Sequence, residues 1–328
     1  MSPIAARHSF FGVTPPAIGI EVAAERVAIV SIDAGAGVVA AYGVEPLPPG
    51  AVVPSLNARN IEDVPAADAA LARAIERSGI RSSRAALVIP DAVARVSMVS
   101  FESVPASPAD LDGLIRWQVR KSVPFPIAAA QLAWQRASEH DFIVTVARRD
   151  VIEEYEGLCA RAGFHTGIVD LATFNLINLV LASDAGPAPR EPRRSLDSEP
   201  RTQDPGPDWL LVHLTAADAT LAIVREGRLI FYRNKATAAD ESVEDLVHQT
   251  AMYHEDRLGG GRFARVVLCG LALAAAGEVR RTIEARLGLP VETVDPRPAA
   301  ALRDRIAASP ELLEALAAPV GVLAREVA

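Results

Sequence analysis

The sequence predicts an α/β protein of two domains built on one plan. Each half opens with three strand-like runs and then alternates helices with strands. A proline-rich, charged stretch lies between the halves. With 328 residues, half of them hydrophobic, the chain is long enough for two such cores.

The first meander occupies 17–22, 26–33 and 38–44, with turn signals at Glu25 and at Gly35-Ala36-Gly37. Residues 66–79 place Ala, Leu and Ile at helical spacing and end on a glycine, a common helix stop. Strands are expected at 84–89 and 95–101. Ser107 then reads as an N-cap and Pro108 as a first helical residue, while Leu111, Leu114, Ile115 and Val119 share a face. Pro124 ends that helix and Pro126 fixes an extended exit. Strands at 131–137 and 141–147, a helix at 148–162, a strand at 165–169 and a helix at 171–182 complete this half.

From 184 to 207 the chain reads DAGPAPREPRRSLDSEPRTQDPGP, whose prolines and charges cannot support a packed core. It is expected to be a disordered linker between a first domain at 17–183 and a second at 208–328; residues 1–16 are expected to be a flexible terminus. The second meander occupies 209–214, 219–225 and 228–233, with a hairpin turn at 225–228. A helix at 243–258 stops at Gly259-Gly260-Gly261. A buried strand from Arg265, a helix at 272–287, a short strand at 291–294 and a terminal helix follow.

Composition excludes several classes. A net charge of −8 gives no basic excess to displace counterions from nucleic acid. The two cysteines, Cys159 and Cys269, indicate neither a disulfide framework nor a zinc site, so a reducing compartment is expected. No apolar run approaches the roughly 18 residues of a membrane span. The first residues lack the long apolar core of a secretory signal. The expected location is cytoplasmic.

The stretch LIRWQVRKSVPFPIAAAQLAWQ, residues 114–135, resembles a helix of the PilM family with its W-x-x-x-x-x-x-P-F-P pattern; Trp117, Pro124, Phe125 and Pro126 match. GIVDLATFNLINLV, with Asp170 and Phe174, LGLPVETVDP from Leu287, and the closing APVGVLARE resemble the same family, in order from Ile18 to Arg325. This family is the actin-like cytoplasmic component of type IV pilus assembly. The resemblance implies a two-domain actin-like fold of the ASKHA and FtsA kind. It also implies an inserted subdomain at about 93–162 and a terminal helix packed back on the first domain. Between the strand ending near Arg233 and the helix near Glu244 only NKATAADESV stands, so the family's nucleotide-lid subdomain is missing.

The resemblance further implies a phosphate site between two hairpins. Glycines there let backbone N–H groups reach phosphate oxygens, and aspartate orders the water around Mg²⁺. The first hairpin reads Gly19-Ile20-Glu21-Val22-Ala23, keeping the acid but replacing the turn glycine with Ala23. A methyl at that point crowds a phosphate, and a turn with positive φ is strained without glycine. In the second hairpin His213 and Thr215 replace Asp and Gly, and Thr220 alone matches. The adenosine loop keeps only Gly270. These departures predict weak ATP and Mg²⁺ binding at most, no cofactor and no ATPase activity.

No other enzyme constellation appears. His248 and His254 lie six apart on a predicted helix and do not share a face; no H-E-x-x-H or G-x-S-x-G motif occurs. The sequence offers neither catalytic residues nor metal ligands. The function implied is a scaffold at the cytoplasmic face of the inner membrane, binding the tail of a membrane-anchored pilus partner in a groove beside the inserted subdomain. Homo-oligomers are compatible with it. Arg116, Trp117, Arg120, Lys121 and Phe125 are the candidate partner-binding residues. The alternatives are a residual actin-like ATP-binding protein or ATPase, and a cytoplasmic scaffold of a type II secretion-like system.

Overall fold

The computed structural model describes residues 16–33, 37–185, 208–237, 242–270, 273–302 and 309–324. The expected flexible terminus and, from 186 onward, the expected linker lie outside them.

The first meander is β1 (Ile18–Val22), β2 (Arg26–Asp33) and β3 (Val38–Pro46). Every residue of β1 is buried, because β2 pairs it antiparallel on one edge and β4 (Arg84–Ile89) parallel on the other, and both faces are covered. Helix α1 (Val64–Ser78) connects β3 to β4. Asp63 Oδ1 accepts the Ala66 N–H at 3.0 Å, and Gly79 closes the helix in the left-handed region at φ 67°. Its Ala67, Ala70, Leu71 and Ala74 stripe is buried.

Two edge strands extend this sheet to the order β14-β3-β2-β1-β4-β8: β8 (His165–Leu171) beside β4, and β14 (Ala301–Leu302) beside β3. The β14 strand was not expected from the sequence. It is two residues long and depends wholly on a partner more than 250 positions away in the chain.

Between β4 and β8 the chain builds a small separate sheet in the order β5-β7-β6: β5 (Ala94–Ser100), β6 (Ala130–Arg136) and β7 (Asp141–Arg148). Helix α2 (Pro108–Val119), N-capped by Ser107, buries Leu111, Ile115 and Val119 against Phe142, Val144 and Val146 of β7. Helix α3 (Arg149–Arg161) follows β7 but buries Val151, Tyr155, Leu158 and Cys159 in the core of the first sheet. The unit with its own core therefore spans 94–148, whereas the expected boundary of 93–162 includes α3. Sequence continuity cannot tell which sheet an apolar stripe covers.

The second half is a five-stranded sheet in the order β11-β10-β9-β12-β13. Its strands are β9 (Trp209–Leu214), β10 (Asp218–Arg225), β11 (Arg228–Ala236), β12 (Arg265–Cys269) and β13 (Val291–Thr293). The β10–β11 turn places Glu226 at φ 51° and Gly227 at φ 72°, the two left-handed residues of a tight hairpin. Helix α5 (Val243–Leu258) is capped by Ser242 and Gly259, and α6 (Leu273–Leu287) precedes β13. Residues 237–242 alone connect β11 to α5, so no lid subdomain is inserted there.

Helices α4 (Ala172–Ala185) and α7 (Pro310–Ala324) form the layer between the two sheets. One apolar core joins Val30 and Val88 of the first sheet, Leu179 and Val322 of these helices, and Leu211 and Ala222 of the second. Helix α7, from the far end of the chain, also packs on β1, β2 and β4. Gly19 and Gly321 permit this closeness. A Cβ on Gly19 would collide with the Pro319 carbonyl, and one on Gly321 with the Asn175 carbonyl.

Candidate functional site

The residues of the expected nucleotide site meet where the two sheets face each other. Asp91 follows β4 in a single helical turn, is 2 % exposed, and was not singled out from the sequence. Its carboxylate accepts the Thr173 N–H at 3.1 Å and the Thr173 hydroxyl at 2.5 Å, both at the start of α4. From the second half it accepts the Tyr232 hydroxyl at 2.9 Å and the Thr220 hydroxyl at 3.2 Å. His213 Nδ1 lies 2.9 Å from the same carboxylate and 3.0 Å from the Thr173 hydroxyl.

This knot gathers β4, α4, β9, β10 and β11. His213 and Thr220 are direct cross-strand partners, so one hairpin delivers both. Asn234 on β11 donates to Thr220 at 2.9 Å and to Asp218 at 2.8 Å, and Thr215 donates to Asp218 at 3.0 Å. Burial opposes ionisation of Asp91, but the hydrogen bonds and charge of His213, with Thr173, outweigh it and hold the carboxyl below its ordinary range. Burial likewise opposes the imidazolium of His213. The hydrogen bond and charge of Asp91, with the charges of Asp218 and Glu21, outweigh that and raise it. Because the Asp91 carboxylate can only accept, the His213 Nδ1 N–H donates to it.

Glu21 comes close to this knot without joining it. It is 4 % exposed, its carboxyl is pushed up by burial, and its ion pair is with Arg26 on β2 at 3.2 Å. The turn at Ala23 closes with an Ala23 N–H to Arg26 carbonyl bond of 2.9 Å. Glu226 is the only non-glycine with positive φ among the described residues, so the strain expected at Ala23 does not arise. Gly19 serves the approach of α7. Gly270, at φ 97°, serves the approach of β9: a Cβ there would strike the Leu214 carbonyl and the His213 ring. The glycines, the acid and the hydroxyls that sequence reading assigned to a phosphate site are therefore engaged with other protein groups.

Elsewhere His254 is fully buried, 2.5 Å from Asp208 and stacked on Phe263, while Arg225 pairs with the same Asp208. Among the described residues no group of three or more His, Cys, Asp or Glu is placed to hold a metal. Cys159 and Cys269 are buried free thiols, and burial pushes that of Cys159 up to about 12.

A second feature lies between the small sheet and the first sheet. Two cavities of about 300 Å³ each share Ala133, Thr145, Val169 and Asp170 and so form one groove. Its walls are β6, an edge of the small sheet, and β8, an edge of the first. Phe174, Ile177 and Leu181 of α4 floor one end, with Leu229 of the β10–β11 hairpin, and Arg136 and Arg228 also line that end. Ile143, Thr145 and Ala147 line the groove, whereas the alternate β7 residues Phe142, Val144 and Val146 pack under α2. The groove and α2 therefore occupy opposite faces of the small sheet.

That alternation separates the expected partner-binding residues from the groove. Arg116, Trp117, Arg120, Lys121 and Phe125 all belong to α2 or the loop after it, and none lines the cavities. Phe125 packs partly buried into the core beneath α2. Trp117 is 59 % exposed under the Arg120 guanidinium, and Arg116 pairs with Asp112. Of the stretches quoted from the sequence, Gln131, Ala133, Trp134 and Gln135 of the first, and Asp170 and Phe174 of the second, do reach the groove.

Two α/β domains, each opening with a three-strand meander and enclosing a shared helical layer, with a small three-stranded unit inserted in the first, define an actin-like fold. The sequence model of the type IV pilus assembly protein PilM family matches residues 19–257. The chain belongs to that family. The structure is similar to that of a PilM–PilN type IV pilus biogenesis complex, with a TM-score of 0.75 over 95 % of this chain and 98 % of the other at 15 % identity. It also matches the cytoplasmic domain of EpsL, an inner-membrane component of the Vibrio cholerae type II secretion system. There the TM-score is 0.47, the identity 9 %, and the cover 77 % of this chain and 82 % of that one. A Bacteroides thetaiotaomicron protein of actin-like ATPase fold and unknown function matches with a TM-score of 0.46 at 10 % identity, over 86 % and 91 % of the two chains.

Proposed function

We propose that this protein is a scaffold of type IV pilus assembly, held at the cytoplasmic face of the inner membrane by the tail of a membrane-anchored partner, with no ATPase activity. The groove between β6 and β8 carries this reading. Two sheet edges face it, each with only one strand partner among the described residues, and α4 supplies an apolar floor. An extended peptide can add main-chain hydrogen bonds to such an edge while its alternate side chains fill the floor. The PilM–PilN structure, whose name pairs a protein of this fold with a second pilus component, supports a protein partner.

The test is titration with cytoplasmic tails of short membrane proteins encoded nearby. Ala133→Arg, on the exposed edge of β6, is expected to weaken the binding tail at least tenfold, about 1.4 kcal/mol. Arg120→Ala, across the sheet, is expected to leave it unchanged. A tail whose affinity follows Arg120 and ignores Ala133 sinks the groove assignment.

The absence of ATPase activity is supported by the knot around Asp91, whose donors and acceptors already satisfy one another. Calorimetry with Mg-ATP is expected to show no binding below about 1 mM. Ala23→Gly is expected not to restore it, because Gly19, His213 and Gly270 stay committed to packing. Micromolar binding with turnover in the parent chain would favour an ATP-binding protein instead.

A further inference from the structure

We propose that the outer face of α2 and the proline loop after it form a contact site for anionic lipid headgroups. The inference does not rest on tail binding, which uses the other face of the small sheet.

Charge marks this surface out. In a chain of net charge −8, residues 113–138 contain no Asp or Glu, and three of their four cations, Arg116, Arg120 and Lys121, lie on α2 or directly after it, while Arg136 ends β6 beside the groove. Arg116 is paired with Asp112 at 2.7 Å. Arg120 and Lys121 make no ion pair among the described residues, and both are exposed. The acids of α2, Asp110 and Asp112, lie toward its opposite end, about 12 Å along the axis.

Apolar exposure coincides with this charge. Trp117 is the most exposed of the large hydrophobic residues described, and the Arg120 guanidinium lies 4.2 Å from its ring centroid. Pro124 and Pro126 are exposed beside them. The inner stripe of α2 is spent on the small core, so no packing among the described residues explains an indole left in water. An indole flanked by the unpaired cations Arg120 and Lys121 suits the headgroup level of a bilayer, where Trp is enriched and each basic residue gains from anionic lipid.

The local shape favours lipid over an acidic protein. Trp117 is exposed near the end of α2, and no residue of α2 lines either cavity. Strand addition and helix docking, two common modes of peptide recognition, use an edge or a groove, whereas a deformable lipid surface accepts an exposed ring.

Vesicle flotation of the full chain without any partner tail tests this. Binding is expected to phosphatidylcholine vesicles containing about 30 % phosphatidylglycerol and not to phosphatidylcholine alone, falling as salt rises. Arg120→Glu with Lys121→Glu is expected to reduce partition at least 25-fold, at about fivefold or more per cation lost. Trp117→Ser reduces it with the charge intact. Arg262→Glu with Arg281→Glu makes the same charge change on exposed residues of the second half and is expected to reduce partition far less. The proposal is overturned by no binding to either vesicle, by equal binding to both, or by equal loss in the two double variants. Binding to polyglutamate without binding to anionic vesicles also overturns it and assigns the face to an acidic protein. Circular dichroism of each variant confirms that it is folded.

Discussion

Asp91→Ala is expected to destabilise the protein by about 3–5 kcal/mol, the cost of removing one partner from a buried ion pair. The magnitude follows from what remains. His213 stays buried but loses the carboxylate that offset its desolvation, and the hydroxyls of Thr173, Thr220 and Tyr232 lose their common acceptor. Chemical denaturation at pH 7 measures it. Thr220→Val, which removes one donor and leaves Asp91 accepting others, should cost nearer 1 kcal/mol. Equal losses in the two variants would show that Asp91 is not the hub.

The same pair sets a pH dependence. His213 is raised above its ordinary 6.5, so its contribution is fully present below that pH and is lost as pH climbs through the higher folded value. Asp91 is depressed below 3.8, so its contribution is present above that pH and is lost as pH falls through the lower folded value. Glu21 and Asp218 also bear on His213. Burial raises both carboxyls, so their contributions too decline as pH rises through their folded values. The melting temperature should therefore fall from pH 6 to pH 9, and His213→Gln should flatten that slope. An unchanged slope in His213→Gln would assign the alkaline loss to another group.

Gly321→Ala is expected to cost about 3 kcal/mol, at the upper end of overpacking. The added methyl meets the Asn175 carbonyl, backbone that cannot rotate away. Relief requires α4 and α7 to separate, and each is also packed against a sheet. Gly277→Ala provides the contrast. It lies on α6 with no atom near its absent Cβ, so alanine there should stabilise by up to about 1 kcal/mol. Thermal denaturation of both variants checks the pair, and matching shifts would show that the helix–helix contact is looser than the structure has it.

Most elements were legible because their signals are local. The span of β2, the N-cap Ser107 and the stop at Gly259 follow from residues within one turn of each boundary. The resemblance around Trp117 and Pro124 was likewise local, and it indicated the family without locating a binding face. Trp117 belongs to the family pattern, yet the groove opens on the other side of the sheet, reached by Thr145 and Ala133. The period-2 alternation of β7 could be read from the sequence, but which face α2 covers could not.

The candidate phosphate site was legible as a set of residues and not as an arrangement. Glu21, His213, Thr220 and Gly270 were all identified, while Asp91 was overlooked because an aspartate after a strand carries no motif. Its significance depends on five elements converging on one carboxylate, and desolvation makes that convergence decisive. By itself the sequence determined the α/β alternation, the duplicated meanders, the missing lid and the family, since each depends on neighbours along the chain. Tertiary structure alone decided that β14 joins the first sheet, that α3 covers the first core, and that the cleft's polar groups satisfy one another. Those outcomes depend on burial and on partners that come together only when the chain packs.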